Sequence, residues 1–454
     1  MSRSRAAGWV AALAALELVI GAASGGAAST TASASAAGPR MGEGTFAIVG
    51  ATVHCVSGPD IENGLVLVEN GRIAKVGPQS AVTFPADTPE IDGRGLHLYP
   101  GFINANSVLG LVEISSVRGT VDMAEVGDLN PSVRAETAIN PSSELIPVTR
   151  ANGVLLALVA ARGGLISGTS ALIALDGWTW EEMTVRSPVA LHVQWPSMHI
   201  DRARSATKEK KEEEQIAERT ARIRALQDAF AAGASYARAE KARMEGGAPP
   251  QDADVVWAAM QPVVERRIPV VVEADDLTQI RAALDWASEE QLDLVIAGGN
   301  DAWQVADELA ARQVPVIVGP VNRLPARRYE FYDTPFTLPS RLAAAGVKVL
   351  FSTDPGGSGA ANARNLPYEV GKAVAFGLSR ETAIRSLTLT AAEVFGAGDR
   401  LGSIDPGKDA TFFLVDGDPL EMESDVRRAW ISGREIDLMN RHRRLYETYN
   451  ARPR

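Results

Sequence analysis

The sequence is poor in several residue types and patterns, and each shortage excludes a class of protein. It has one cysteine, Cys55, among 454 residues, so no internal disulfide can form. Lysine and arginine total 45 against 56 aspartate and glutamate residues, and the net charge of −11 lacks the basic excess of nucleic-acid-binding proteins. After the N-terminal segment, no apolar run is long enough to cross a membrane. A hydrophobic content of 46% is ample for a large core, and the alternating run around Cys55 favours a buried structural thiol over a nucleophile.

The N-terminus has the order of a secretory signal peptide. Arginines at positions 3 and 5 precede an apolar stretch from about Trp9 to Ala23, and small residues follow. We assign residues 1–28 to the signal peptide and residues 29–44 to a low-complexity tail. The sequence therefore predicts a secreted or periplasmic protein without a membrane span once the signal is cleaved.

Both ends of the mature chain have sequence patterns typical of β-strands. Runs such as "GLVLVENGRIAKVG" alternate with period two, and Asn63-Gly64 and Asn70-Gly71 predict tight turns. A similar strand-like pattern occurs in "GSIDPGKDATFFLVDG" near the C-terminus. We predict one composite β domain built from residues 45–98 and 400–436.

The middle of the chain, residues 99–399, alternates strands and helices. Continuous apolar strands separated by amphipathic helices indicate a parallel sheet covered on both faces. With "YPGFINAN" as the first strand, the candidate strands are 153–161, 188–195, 268–275, 292–299, 314–320 and 347–355. This count approaches the eight units of a TIM barrel. A doubly wound open sheet is the competing topology.

Two helical segments stand apart from this rhythm. A charged insert near residues 203–245 carries one apolar stripe, made of Ile216, Ile223, Leu226 and Phe230. We interpret it as a surface helix packed on the barrel by that stripe. Residues 437–454 predict a basic C-terminal helix.

Several motifs along the chain resemble those of one family. They are "YPGFINANSVLGL", "ANGVLLALVA", "FSTDPGGSG" and "RLGSIDPGKDATFFLVDGDPL". Together they resemble the amidohydrolase superfamily, in particular its imidazolonepropionase-like branch. The resemblance implies a TIM (β/α)8 barrel with a small β-sandwich domain built from both chain ends. It also implies an activity on non-peptide C–N bonds, such as those of cyclic amides and other amides.

The resemblance further implies a site for one or two divalent metal ions, usually zinc, at the barrel mouth, and here its ligand positions have changed. The H-x-H pair of the first strand falls on Asn106 and Val108, and the strand-five histidine falls on Glu273. The strand-six histidine falls on Gly298 or Gly299. Valine and glycine side chains cannot bind zinc, and asparagine is a weak neutral ligand.

Of the family's functional residues, only the strand-eight aspartate is retained, as Asp354. We therefore expect no metal ligands, Asp354 at the catalytic position, and Asn106, His192 and Glu273 as substrate-binding residues. The family pattern thus predicts a degenerate metal site.

Other chemistries stay open at this point. His192 and His199, with Glu273 and Asp354, could rebuild a metal site, and the two carboxylates alone could form an acid–base pair. Ser167 and Ser170 lie in "GLISGTS", which lacks the G-x-S-x-G turn of serine hydrolases.

The prediction on function follows from the lost ligands. We expect a non-hydrolytic protein without cofactor that serves either as a ligand-binding module, with a small molecule in the barrel mouth, or as the structural partner of an active homologue. A homo-oligomer and a complex with the active homologue are both open. The alternative is an active amidohydrolase with an unconventional zinc or other divalent metal site that uses Glu273, Asp354 and His192. Whether the protein is an enzyme is left open by the sequence.

Overall fold

A computed structural model describes residues 38–202, 211–247 and 252–452. The predicted signal peptide and residues 29–37 of the predicted tail lie outside the described residues. Within the described part, no helix is both long enough and apolar enough to cross a membrane.

The first sheet is β-sandwich-like and uses both ends of the chain, as the sequence predicts. Its strands are Thr45–Val53 (β1), Ile61–Glu69 (β2), Arg72–Pro78 (β3), Glu90–Asp92 (β4), His97–Pro100 (β5), Phe412–Val415 (β14), Val426–Ile431 (β15) and Arg434–Glu435 (β16). The order is β16-β15-β14-β5-β1-β2-β3, and β4 pairs with β1. The C-terminal strands join the N-terminal ones through the antiparallel pair β5–β14.

One of the two predicted tight turns in this sheet is correct. Asn70 and Gly71 have φ values of 49° and 79° and connect β2 to β3. Both central residues of such a hairpin turn need positive φ, which asparagine and glycine tolerate. Asn63-Gly64 is instead part of β2, opposite a register shift of β1 near Ala51, so the turn predicted there is wrong.

The second sheet forms the wall of a nearly closed barrel, which the sequence also predicts. Its strands are Phe102–Ser107 (β6), Val154–Val159 (β7), Ile166–Ala174 (β8), Thr184–Gln194 (β9), Val270–Ala274 (β10), Leu294–Gly298 (β11), Val316–Val318 (β12) and Val349–Phe351 (β13). They lie side by side in chain order from β6 to β13. This sequential order excludes the doubly wound alternative, because such a sheet reverses its strand order.

The third barrel strand, β8, departs from the parallel pattern. It pairs antiparallel with both β7 and β9, whereas the other neighbouring strands are parallel. The sequence predicts no strand here, because "GLISGTS" combines glycine, which is depleted in strands, with serine, which is typical of turns. All nine residues of β8 are nevertheless buried.

The helices cover the barrel and end the chain. They are Leu145–Arg150 (α1), Trp180–Met183 (α2), Glu212–Met244 (α3), Val255–Val264 (α4), Leu277–Glu289 (α5), Ala306–Ala311 (α6), Thr334–Ala344 (α7), Gly357–Ala361 (α8), Leu366–Ala375 (α9), Arg380–Leu387 (α10), Leu389–Val394 (α11) and Arg441–Asn450 (α12). Short 3-10 turns are Arg118–Thr120, Ala135–Ala138, Ala302–Val305 and Ala363–Asn365.

The long charged helix α3 packs on the barrel by part of its predicted stripe. Leu226 and Phe230 are buried, and the Phe230 ring meets Trp286 edge to face at 4.9 Å between centroids. Ile223 is half-buried, but Ile216 is 39% exposed and lies outside the packed region. The apolar stripe therefore packs against the barrel in the middle of the helix, and the first turn of the helix is not packed by it.

Candidate functional site

The barrel mouth is formed where the parallel strands end, and its first wall comes from β6. Asn106 is 2% exposed and Val108 is fully buried in the apolar core. The Asn104 amide donates a hydrogen bond to Thr353 Oγ1 at 3.1 Å, which ties the first strand to the residues that follow the eighth. The two positions that the resemblance assigns to the H-x-H pair thus hold one buried amide and one core side chain.

Arg162, which belongs to none of the sequence motifs, lies between Asn106 and Glu273 in the mouth. It follows β7, and its Nη2 donates to Asn106 Oδ1 at 3.0 Å. Its Nη1 forms an ion pair with Glu273 Oε1 of β10, three strands further round the barrel. Its side chain is 11% exposed. The guanidinium therefore bridges two of the positions that the resemblance assigns to metal ligands.

Arg162 keeps its charge in this environment. Burial lowers the pKa of Arg162 to about 10, and the negative charge of Asp354 partly opposes that shift. A group with this pKa is protonated at neutral pH, because the pH lies well below the pKa. The mouth thus contains a permanent organic cation.

The sixth strand offers no side chain to the mouth. Gly298, at the end of β11, has a φ of +87°, and a Cβ there would lie 2.4 Å from Asp275 Oδ1. A histidine at this position would collide with Asp275 and strain the backbone. Burial raises the pKa of Asp275, while the backbone N–H of Asn300 and the charge of Arg323 oppose the shift.

His192 and His199, the two histidines considered for a rebuilt metal site, do not form a ligand cluster with Glu273 and Asp354 in the described part of the chain. His192 lies in β9, is 1% exposed, and neither ring nitrogen has a hydrogen-bond partner in the described part of the chain. Burial, with a smaller contribution from the charge of Arg162, lowers the pKa of His192 to about 3. The His199 side chain is 68% exposed, and its Nε2 lies 3.6 Å from Asp276.

The retained aspartate, Asp354, is held by its own loop. Its Oδ1 accepts a hydrogen bond from the Gly356 N–H at 2.8 Å, and its Oδ2 accepts one from the Ser358 hydroxyl at 2.9 Å. Gly359 allows the loop to close, because a Cβ there would lie 1.7 Å from the Asp354 carbonyl oxygen. Asp354 is half-buried, and its carboxylate forms no ion pair within the described residues.

A cavity of about 720 Å³ adjoins Asp354. Residues after β12, residues after β13 and the first turns of α9 line it, among them Asn322, Asp354, Ser358, Tyr368, Glu369 and Lys372. Glu369 accepts the Val321 N–H at 2.8 Å, and burial raises its pKa. The lining offers hydrogen-bond donors and acceptors and charges of both signs, which suits a small polar molecule.

The residues of the mouth do not fit a family-type metal site. Among residues 38–202, 211–247 and 252–452, no three histidine, cysteine, aspartate or glutamate side chains are grouped so that they could hold a metal ion. Asn106 Oδ1 and Glu273 Oε1, two oxygen atoms that could bind a metal, already lie against Arg162. A metal ion bound to these two atoms would have to displace the guanidinium.

Comparisons with known proteins point to one family. The amidohydrolase family profile matches residues 336–439. An imidazolonepropionase of Syntrophobacter fumaroxidans is 38% identical over 78 residues, which cover 17% of this chain and 18% of that protein. The amidohydrolase tasK of Hapsidospora irregularis is 23% identical over 396 residues, covering 82% of this chain and 39% of that protein. The chain thus spans about two fifths of the length of that curated relative.

Solved structures agree on the fold. An amidohydrolase from Thermotoga maritima MSB8 has a TM-score of 0.75 and is 25% identical, covering 87% of this chain and all of that one. Phenylurea hydrolase B superposes less closely, with a TM-score of 0.52 and 16% identity over 87% of this chain and 97% of that one.

Proposed function

The chain belongs to the amidohydrolase superfamily, and on that premise we propose that it is a metal-free member that binds a small polar molecule at the barrel mouth without hydrolysing it. The observation that carries the proposal is the Arg162 guanidinium, which engages Asn106 and Glu273 at positions where the family has metal ligands. We further propose that the protein is exported to the cell envelope, on the strength of its signal-like N-terminus.

The chemistry of guanidinium differs from that of a metal ion in one decisive respect. A metal ion binds water directly and lowers its pKa to about 7, which supplies hydroxide near neutral pH. A guanidinium only donates hydrogen bonds, so it can hold a carbonyl or carboxylate oxygen but cannot activate water in this way. Arg162 therefore supports binding and orientation, and not hydrolysis.

The ligand we propose is a small molecule with an amide-like group. One relative over a short stretch is an imidazolonepropionase, whose name indicates a compound with C–N bonds next to a carbonyl. Such a group accepts a hydrogen bond through its oxygen and donates through its nitrogen. Arg162 has N–H groups beyond those that face Asn106 and Glu273, and the charge of Asp354 acts on it. Asp354 offers an acceptor and lines the cavity of about 720 Å³, which has room for the remainder.

One observation favours the alternative, an active hydrolase that binds a metal through Glu273, Asp354 and His192. His192 is buried with both ring nitrogens unpaired within the described residues, and buried polar groups are normally satisfied. For a metal to use it, the Arg162 side chain would have to leave the mouth.

Metal content of the purified full chain separates the two functions. We expect the wild-type protein, loaded with zinc and then passed over a desalting column, to retain much less than one zinc per chain. Arg162→Gln should retain more, because it frees Asn106 and Glu273. Arg150→Gln is the matched control, since Arg150 is a similarly buried arginine paired with Asp176 outside the mouth. Stoichiometric, tightly held zinc in the wild-type protein would refute the proposal.

Binding is measured separately, with a panel of cyclic amides and dipeptides. We expect at least one compound to raise the melting temperature of the wild-type protein, and Asp354→Asn to weaken that effect. No product should form from the same compounds. Hydrolysis at about 1 per second or faster, in the range of ordinary enzymes, would establish the alternative instead.

A further inference from the structure

The loop that follows β12 exposes an unusual set of large apolar side chains. Leu324, Tyr329, Phe331 and Tyr332 lie within nine residues of one another in the chain and are 72–85% exposed. Several large apolar side chains exposed within one short loop indicate an interaction site, because large exposed apolar patches usually mark one.

Two charged groups of the same loop, Arg327 and Glu330, are partly buried and paired. Arg327 donates to both carboxylate oxygens of Asp301, at 2.7 and 2.6 Å, and to Glu330 at 2.7 Å. Asp301 is 2% exposed and also accepts the Leu277 N–H at 3.0 Å. A paired arginine beneath the loop and four exposed apolar side chains above it differ from an ordinary surface loop. The ion pairs fix the backbone, so the aromatic side chains are presented without a large ordering cost on binding.

We propose that this aromatic loop, residues 324–332, is the dimer interface between two copies of the chain. An interface with two-fold symmetry brings the same surface together twice, so its charges must complement themselves. Arg328 and Asp333 flank the aromatic residues, and neither side chain has a partner among the described residues. Around a two-fold axis, Arg328 of each copy can pair with Asp333 of the other.

The size of the patch suits this role. Three exposed aromatic side chains and one leucine offer about 500 Å² of apolar surface per copy. A stable interface buries about 800 Å² per partner, so the loop would form the apolar centre and its polar surroundings the rim. An anionic membrane is a poorer partner, because the chain has a net charge of −11 and would be repelled.

Sedimentation velocity on the full chain over the micromolar range tests the proposal. We expect a dimer, and we expect the double variant Phe331→Ser, Tyr332→Ser to weaken dimerisation by about 30-fold or more, the usual effect of removing central aromatic anchors. Trp178→Ser is the control, since Trp178 is 83% exposed but lies outside this loop. It should leave the dimer intact.

A charge exchange tests the symmetry directly. Arg328→Asp should weaken the dimer, and Asp333→Arg added to it should restore the dimer, because the pair is then reversed on both sides of the axis. The proposal would be overturned if the wild-type protein were monomeric, or if the dimer were unaffected by Phe331→Ser with Tyr332→Ser. It would also be overturned if the charge exchange failed to restore the dimer. Cosedimentation with vesicles of phosphatidylglycerol and phosphatidylethanolamine that depends on Phe331 and Tyr332 would assign the loop to a membrane surface instead.

Discussion

Acidification should destabilise this protein through His192. The pKa of this imidazole is about 3 in the folded protein because the ring is buried, and about 6.5 in an unfolded chain. A lowered folded pKa means that the unfolded state binds the proton more readily. The contribution to stability is therefore complete above pH 6.5 and is lost as the pH falls from 6.5 towards 3. Each pH unit in this window costs about 1.4 kcal/mol, so a fall from 6.5 to 4.5 costs about 3 kcal/mol.

Urea unfolding at pH 7 and pH 4.5 measures this loss. The variant His192→Gln cannot titrate, and it should lose about 3 kcal/mol less than the wild-type protein between the two pH values. His199→Gln is the matched control, because the His199 side chain is 68% exposed. It should follow the wild type. Equal losses in the wild-type protein and in His192→Gln, or an NMR titration of His192 with a midpoint near 6.5, would refute the reasoning.

Three further substitutions probe the mouth. Asp354→Asn should cost only about 1 kcal/mol in thermal or urea unfolding, because the amide keeps one acceptor for the loop, and a loss of several kcal/mol would mark Asp354 as a structural residue. Asn106→His with Val108→His should not create hydrolysis of cyclic amides in the presence of zinc or manganese, because Gly298 still offers no ligand; turnover of about 1 per second would contradict this. Gly298→Ala should cost about 2 kcal/mol or more, and more than Gly346→Ala, which has the same φ of +87° but open space around the new methyl group. If the two substitutions lowered the free energy of unfolding equally, the Asp275 side chain would have moved away from the new methyl group without cost.

The fold was predictable because its signals are local and repeated. Alternation with period two predicts the strands of the first sheet, and apolar runs between amphipathic segments predict seven of the eight barrel strands. The strand β8 was missed because glycine and serine at its start hide a segment that is buried only through its neighbours. Asn63-Gly64 was misinterpreted because the dipeptide that makes a hairpin turn also suits an irregular position within a strand, and pairing partners decide between the two.

The candidate site was predictable from the sequence only in part. Asn106, Val108 and Glu273 could be identified from their places in the family's motifs, but Arg162 follows an ordinary apolar strand and belongs to no motif. Its position right after a barrel strand was the available signal, since such positions meet at the mouth. Distances between strands that are far apart in sequence decide which side chain crosses the mouth and which residues it contacts.

The antiparallel pair β5–β14 sets the order in which the protein can be completed. It joins His97–Pro100 to Phe412–Val415, so the whole barrel sequence lies between the two partners. A chain synthesised from its N-terminus must present strands β1 to β5 with the β5 edge open until the last part of the polypeptide arrives. Such distant pairing is slow to form, and an open strand edge can pair with another chain in the meantime. Closure of the first sheet is therefore the late step in folding, and truncation before residue 412 would leave a permanently open edge that promotes aggregation.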